Sequence, residues 1–198
     1  MKQKVLLASN NAHKIKEIRA ILGDFFDIVS LREAGVESDP EETGKTFEEN
    51  ARIKAVAGMK ASRMPCIADD SGLEVLALDC RPGVMSARYS GSHGDDAANN
   101  EKLLAELADK PDRSARYVCV ICMAFPDGRE LEARGECYGE ILKEKRGNGG
   151  FGYDPLFYFP QFGKTFAEIS AEEKNEVSHR NAALKAFEKL WEKEINDK

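Results

Sequence analysis

The stretch Lys4-Val5-Leu6-Leu7-Ala8-Ser9-Asn10-Asn11-Ala12-His13-Lys14-Ile15 decides the fold class. An apolar run of strand length meets a polar break, and then Ile15, Ile18, Ile21 and Leu22 recur at helical spacing until Gly23 stops them. A strand feeding a helix through a short loop is the unit of an α/β fold. Outward from it, residues 26–31 read as a second strand and residues 33–44 as an acidic loop. Thr46-Phe47-Glu48-Glu49 is a capping box, which opens a helix to about residue 62. Pro65-Cys66-Ile67-Ala68 reads as a strand running into Asp69-Asp70-Ser71-Gly72, with apolar character resuming over 73–78. A turn at Arg81-Pro82-Gly83 precedes a helix over 95–107 with an acidic first turn. A long strand over 114–125 turns at Pro126-Asp127-Gly128 and returns over 129–139. Leu184, Phe187, Leu190, Trp191 and Ile195 mark a last amphipathic helix. No repeat or linker interrupts the pattern, so the expectation is a single α/β domain over 1–198.

Composition narrows the function. The 29 Lys+Arg against 35 Asp+Glu leave a net charge of −6, which argues against a nucleic-acid coat protein, since a polyphosphate backbone needs excess positive charge. A small anionic ligand needs only a few local cations. The 42% hydrophobic and 32% charged content is that of a soluble globular chain. The apolar run near the N-terminus is too short for a signal peptide, and none approaches the ~20 residues of a membrane span. Five cysteines, an odd number without framework spacing, point to a reducing cytoplasm.

Several phosphate and metal patterns fail. Gly44-Lys45-Thr46 and Gly163-Lys164-Thr165 lack the earlier P-loop glycine, since Asp39 and Tyr158 stand there. Gly147-Asn148-Gly149-Gly150-Phe151-Gly152 matches the dinucleotide fingerprint literally, but it runs into Tyr153-Asp154-Pro155, and Pro155 biases Asp154 away from helix. Cys119 and Cys122, three apart in a strand pattern, point to opposite faces and cannot chelate zinc together. His13 and His93 read as surface histidines.

Four clusters survive, each with a bland reading beside the chemical one. Ser9, Asn11 and Lys14 sit where a strand end meets a helix N-terminus, which suits an anion, or else form an ordinary N-cap beside a solvated lysine. Asp69 and Asp70 crowd two carboxylates that call for a cation, with oxygen ligands favouring Mg²⁺ or Mn²⁺ over zinc, or form an acidic turn. Glu42, in the acidic loop, offers a further carboxylate and Lys54 a charge for phosphate, or the two belong to a solvated loop and helix face. In the fourth cluster, Phe151 between glycines can lie flat on a planar ring and Asp154 can accept from a ring N–H. The same cluster adds Lys174, Ser178, His179 and Arg180. Ser170 and Glu173 form a capping box there, and Ser178 offers a second N-cap. At about 100° per residue, Lys174 and Arg180 would stand roughly 120° apart on one straight helix. For both to face one ligand, the helix must break or restart near Ser178.

Together these strings resemble the inosine triphosphate pyrophosphatase family, the Ham1-like enzymes. The matching segments are Ser9-x-Asn11-x-x-Lys14, Glu42-Thr43-Gly44-x-Thr46-Phe47-x-Glu49-Asn50-Ala51, Ala68-Asp69-Asp70-Ser71-Gly72-Leu73, Pro82-Gly83 with Ser86-Ala87-Arg88-Tyr89-Ser90-Gly91, Gly149-Gly150-Phe151-Gly152-Tyr153-Asp154-Pro155, and Glu173-Lys174 with Ser178-His179-Arg180. The resemblance implies an elongated mixed β-sheet flanked by helices, in two lobes with a central cleft, as in the related Maf-like proteins. It implies a homodimer that cleaves ITP, dITP and XTP between the α- and β-phosphates, clearing damaged purines from the nucleotide pool. By the same resemblance Glu42, Asp69 and Asp70 serve Mg²⁺ (or Mn²⁺), and Asp70 also orients or deprotonates the attacking water. Lys14, Lys54 and Ser71 hold the triphosphate beside Ser9 and Asn11. Phe151 stacks on the base, with Gly152 and Tyr153 beside it and Asp154, Lys174, His179 and Arg180 at its polar edge. Hypoxanthine and xanthine present an acceptor at C6 for the donors His179 and Arg180, where adenine presents a donor. Such a mismatch costs about 1–3 kcal/mol per buried group. A Maf-like pyrophosphatase for other nucleotides, or a nucleotide sensor that does not cleave, are the competing readings.

Overall fold

The computed structural model describes residues 2–196, except for the side chain of His13, so the reading of that histidine lies outside the described residues. In chain order the strands are β1 (Gln3–Leu7), β2 (Phe26–Ser30), β3 (Cys66–Val75), β4 (Arg81–Pro82), β5 (Ser114–Ala124), β6 (Glu130–Ile141), β7 (Phe157–Phe159) and β8 (Lys164–Thr165). The helices are α1 (Ala12–Leu22), α2 (Leu31–Ala34), α3 (Phe47–Ser62), α4 (Asp96–Glu106), α5 (Ala171–Val177) and α6 (His179–Asn196). The strands pair in the order β2-β1-β3-β5-β6-β7-β8, with β4 also on β3. The sheet is mixed: β1 runs parallel to β2 and β3, while β4, β7 and β8 join antiparallel.

The chain divides into two compact units. Unit 1 comprises Met1–Asp70, Cys119–Gly135 and Arg180–Lys198, and unit 2 comprises Ser71–Val118 and Glu136–His179. In unit 1, strand alternation sends Val5, Leu7, Ile67, Cys119 and Ile121 to one face, where they pack with Ile18 and Leu22 of α1 and Leu184 and Phe187 of α6. Leu6 and Cys66 point the other way, toward Met59 of α3. Gly58 lets α3 lie close on that face: a Cβ there would stand 2.6 Å from Cys66 Sγ and 3.3 Å from a Leu6 methyl. Unit 2 has its own core, in which Tyr117, Phe157 and Phe166 pack with Leu73, Leu103 and Tyr153.

Three local readings are corrected. Asp69-Asp70-Ser71-Gly72 is not a turn but the interior of the ten-residue β3. The segment 33–44 is not all loop, because Ser30 and Glu33 make a reciprocal capping box that opens α2, closed by Gly35 in the left-handed region. At α3, Thr46 accepts from Glu49 N–H as expected, but the Glu49 carboxylate takes Lys45 N–H at 2.5 Å instead of closing the box on Thr46. The expected break occurs: Ser178 is extended (φ −72°, ψ 154°) between α5 and α6. No α-helix follows the glycine-rich segment, where the next element is β7, so the fingerprint there has no helix dipole behind it.

Candidate active site

The acid pair of β3 is divided by the two-residue period of the strand. Asp69 faces the α1/α6 side. Its carboxylate lies 2.9 Å from Lys14 Nζ, on α1, and 3.6 Å from Arg180 Nε, on α6, and is almost wholly buried. Burial alone would raise this carboxyl, but Lys14 and then Arg180 outweigh it and hold it well below the usual carboxylate range. Arg180 also donates to Glu17 Oε2 at 2.7 Å. Asp70 faces α3. Lys54 Nζ stands 3.1 Å from Asp70 Oδ1 and 2.9 Å from Glu42 Oε1, so one ammonium joins two carboxylates. Burial raises the Asp70 carboxyl, only partly offset by Lys54, and Glu42 adds to the rise. For Lys54, burial works toward a lower value, but Asp70 and Glu42 prevail and raise it.

The structure therefore brings Glu42, Lys54 and Asp70 together and sets Asp69 apart, paired with Lys14. Asp69 lies on the opposite face of β3 from the Glu42–Asp70 pair, as strand alternation requires. Among the described residues no group of three or more His, Cys, Asp or Glu side chains is arranged around a metal position. The pair nonetheless suits a hard cation completed by phosphate and water, which is how Mg²⁺ is commonly held. It already accommodates an ammonium, and Asp70 Oδ2 is buried with no hydrogen-bond partner. Beside it, a cavity of about 740 Å³ within unit 1 is lined by Ser9, Asn10, Asp39, Pro40, Glu42 and Lys54, among others.

The Ser9–Lys14 segment is both a cap and more than a cap. Ser9 Oγ accepts from Asn11 N–H at 3.1 Å, and Asn11 Oδ1 accepts from Lys14 N–H at 3.2 Å, opening α1. Lys14 is not solvated but paired with Asp69. Ser71 follows on β3 as the first residue of unit 2.

In unit 2, Phe151 is 57% exposed, with Lys174 Nζ 4.3 Å from its ring centroid. Asp154 is buried, and its carboxylate accepts from Phe151 N–H (2.9 Å), Lys174 Nζ (2.5 Å) and Tyr117 Oη–H (3.3 Å). Its acceptor sites are thus turned to neighbouring protein groups, which fixes Phe151 and Lys174 relative to each other. Gly150 is required here, since at φ +73° its Cβ would fall 2.2 Å from Asp154 Oδ2. His179 stacks on Tyr117 with centroids 4.9 Å apart and planes at 16°. Tyr153 is buried and donates its hydroxyl to Ser86 O. His93 is exposed.

The Ham1 family model matches residues 5–190. A dITP/XTP pyrophosphatase of Desulfotalea psychrophila is 56% identical over 181 residues, covering 91% of this chain and 81% of that protein. Another, of Clostridium perfringens, is 52% identical over 191 residues, covering 92% and 94%. The chain belongs to the Ham1 family. The solved Ham1 protein of Staphylococcus aureus superposes with a TM-score of 0.91 at 45% identity, covering 97% of this chain and all of that one. That of Coxiella burnetii gives 0.91 at 42%, covering 96% and 99%.

Two partners in this Ham1 chain escaped the sequence reading. Glu17 holds Arg180, and its signal was its place three residues after Lys14, on the same helical face. Tyr117 supports both Asp154 and His179. Burial and then Asp154 push its hydroxyl well above the ordinary value, which keeps it a donor. A tyrosine in an apolar strand run carries no such message by itself. Cys119 and Cys122 are buried thiols, both pushed up to about 12 by burial. Cys119 lies near Asp69 and Arg180, and Cys122 near Glu130 and Arg52.

Proposed function

We propose that this chain hydrolyses non-standard purine nucleoside triphosphates (ITP, dITP and XTP) to the monophosphate and pyrophosphate. The observation that carries the reading is the Glu42–Lys54–Asp70 constellation beside the unit 1 cavity, in a chain whose relatives are named dITP/XTP pyrophosphatases. Glu42 and Asp70 hold Mg²⁺, with Mn²⁺ as its substitute, and the ion supplies neutralisation of phosphate charge and Lewis acidity. Asp70 orients the attacking water and takes its proton. A carboxyl raised by burial is a stronger base than an exposed one. Lys54, freed from bridging two carboxylates, turns to the triphosphate. Lys14 contributes charge from the other face of β3, and Asp69 keeps it in place. Ser9, Asn11 and Ser71 complete the phosphate contacts.

Phe151 stacks on the base, backed by Gly152 and Tyr153. Lys174, His179 and Arg180 supply donors at its edge, and Asp154 acts by fixing Phe151 and Lys174. The partner is a free nucleotide rather than a nucleic-acid polymer, and the enzyme works as a cytoplasmic homodimer. No described helix is long and apolar enough to cross a membrane. The test is pyrophosphate release from ITP, dITP, XTP, dTTP and UTP, with Mg²⁺ and with chelator. Metal-dependent release from the three purines is expected. Preference for dTTP or UTP would favour the Maf-like alternative, and binding without release would indicate a sensor.

A further inference from the structure

The ring of Phe151 projects into solvent, so packing does not fix it. Its backbone, however, is held on both sides within unit 2. Phe151 N–H donates to Asp154 Oδ2 at 2.9 Å. The next peptide is bound by α4: Gly152 N–H donates to Asp96 Oδ2 at 2.6 Å, and Asn100 Nδ2 donates to Gly152 O at 2.8 Å. Asn100 Nδ2 also bonds Asp96 O, one helical turn back, at 2.6 Å, so the two side chains form one bracket on the start of α4. Asn100 is almost wholly buried, and its Oδ1 has no hydrogen-bond partner among the described residues. An apolar side chain would avoid that orphaned acceptor, so the amide is retained for the bonds that its nitrogen makes.

We infer that Asp96 and Asn100 are positioning residues that fix the height and tilt at which Phe151 meets the purine ring. The inference rests on the reading of Phe151 as the base platform. A ring carried on a turn with three anchored backbone groups stacks without first ordering its own chain, which lowers the cost of binding the base. The Gly152 N–H anchored by Asp96 is a charge-assisted bond, the stronger kind. Asp96 is exposed, so replacing it leaves no hole in the core.

Steady-state hydrolysis of ITP by the full chain tests this. Asp96→Ala is expected to raise KM for ITP roughly 3- to 15-fold with kcat within about twofold. Asp96→Asn, which keeps an acceptor oxygen, should restore most of the loss. In the Phe151→Ala background, Asp96→Ala should add nothing, because both changes remove the same interaction. The inference is overturned if Asp96→Ala leaves KM unchanged while Phe151→Ala raises it, or if the two effects multiply; the platform reading then stands. A Phe151→Ala variant with unchanged KM overturns the platform reading, and the positioning role falls with it.

Discussion

Asp69 and Asp70 are neighbours of one residue type, yet their neutralisation should have very unequal consequences for stability. Asp69 faces two cations, at 2.9 and 3.6 Å, and its side chain is 2% exposed. Asp69→Asn keeps the volume but leaves Lys14 and Arg180 facing each other across a neutral amide. Removing one member of a buried ion pair costs about 3–5 kcal/mol. For a chain of this size each kcal/mol moves Tm by roughly 2–4 °C, so a fall of about 6–20 °C follows. The Glu17 bond to Arg180 places the expectation toward the lower half of that range. Asp70 has the reverse balance, two carboxylates against one ammonium. Asp70→Asn leaves a matched Glu42–Lys54 pair and removes a carboxylate whose ionised form burial disfavours. Its stability should lie within about 1 kcal/mol of the parent, a Tm shift under roughly 4 °C, while ITP hydrolysis falls by at least about 10²-fold through loss of the base. Thermal unfolding by circular dichroism in chelator reads the first quantity, and pyrophosphate release the second. Equal destabilisation by the two substitutions would refute the division of the pair by strand alternation.

The other expectations are independent of that pair. Of the five cysteines only Cys80 is exposed, and burial pushes Cys66, Cys119, Cys122 and Cys137 up to about 12. A thiol-disulfide colour reagent near pH 8 should therefore titrate one thiol in the native chain and five in denaturant; two or more fast native thiols would contradict the packing. The Glu33 carboxyl is lowered to about 2, first by Ser30 N–H, then by Arg19 and the Ser30 hydroxyl. Because the folded value is depressed, its contribution is complete above the unfolded value of about 4.3 and lost as pH falls through about 2. Carboxyl-detected NMR should place its midpoint there, and a midpoint above 4 would deny the cap. Gly58→Ala should cost about 1–3 kcal/mol by forcing α3 off β1 and β3, read as a lower denaturation midpoint at unchanged slope.

Local signals in the sequence reached a long way. Hydrophobic period and caps locate α1, α3 and α6, and the hairpin of β5 and β6 follows from Pro126-Asp127-Gly128. The Ser170–Glu173 box is present as read. Where the reading went astray, the deciding partner was distant in the chain. Asp69-Asp70-Ser71-Gly72 has turn composition, and only Lys14, Lys54 and Arg180, brought in by three helices, make it tolerable inside a strand. Composition cannot show such neutralisation, because each cation alone reads as a solvated face. The α2 helix was hidden for a different reason: Ser30 and Glu33 carry its signature, but Gly35 follows so soon that the segment reads as loop.

The end of α5 shows how a helix break can be read from periodicity when two residues are required to face the same way. Lys174 and Arg180 would diverge on a straight helix, so a shared ligand requires a break, and Ser178 is extended at that point. The break also separates two adjacent residues by environment. His179 belongs to unit 2 and stacks on Tyr117, whereas Arg180 belongs to unit 1 and meets Glu17 and Asp69. Arg180 therefore shares a carboxylate with Lys14, so its placement depends on the same group that holds the lysine proposed to bind phosphate. Shortening or neutralising Arg180 should then disturb triphosphate binding as well as base choice: Arg180→Ala should raise KM for both ITP and ATP, and lower kcat/KM for ITP by the larger factor. Equal losses for the two nucleotides would leave Arg180 as a support for Asp69 and Lys14 alone, with base choice resting on His179 and Lys174.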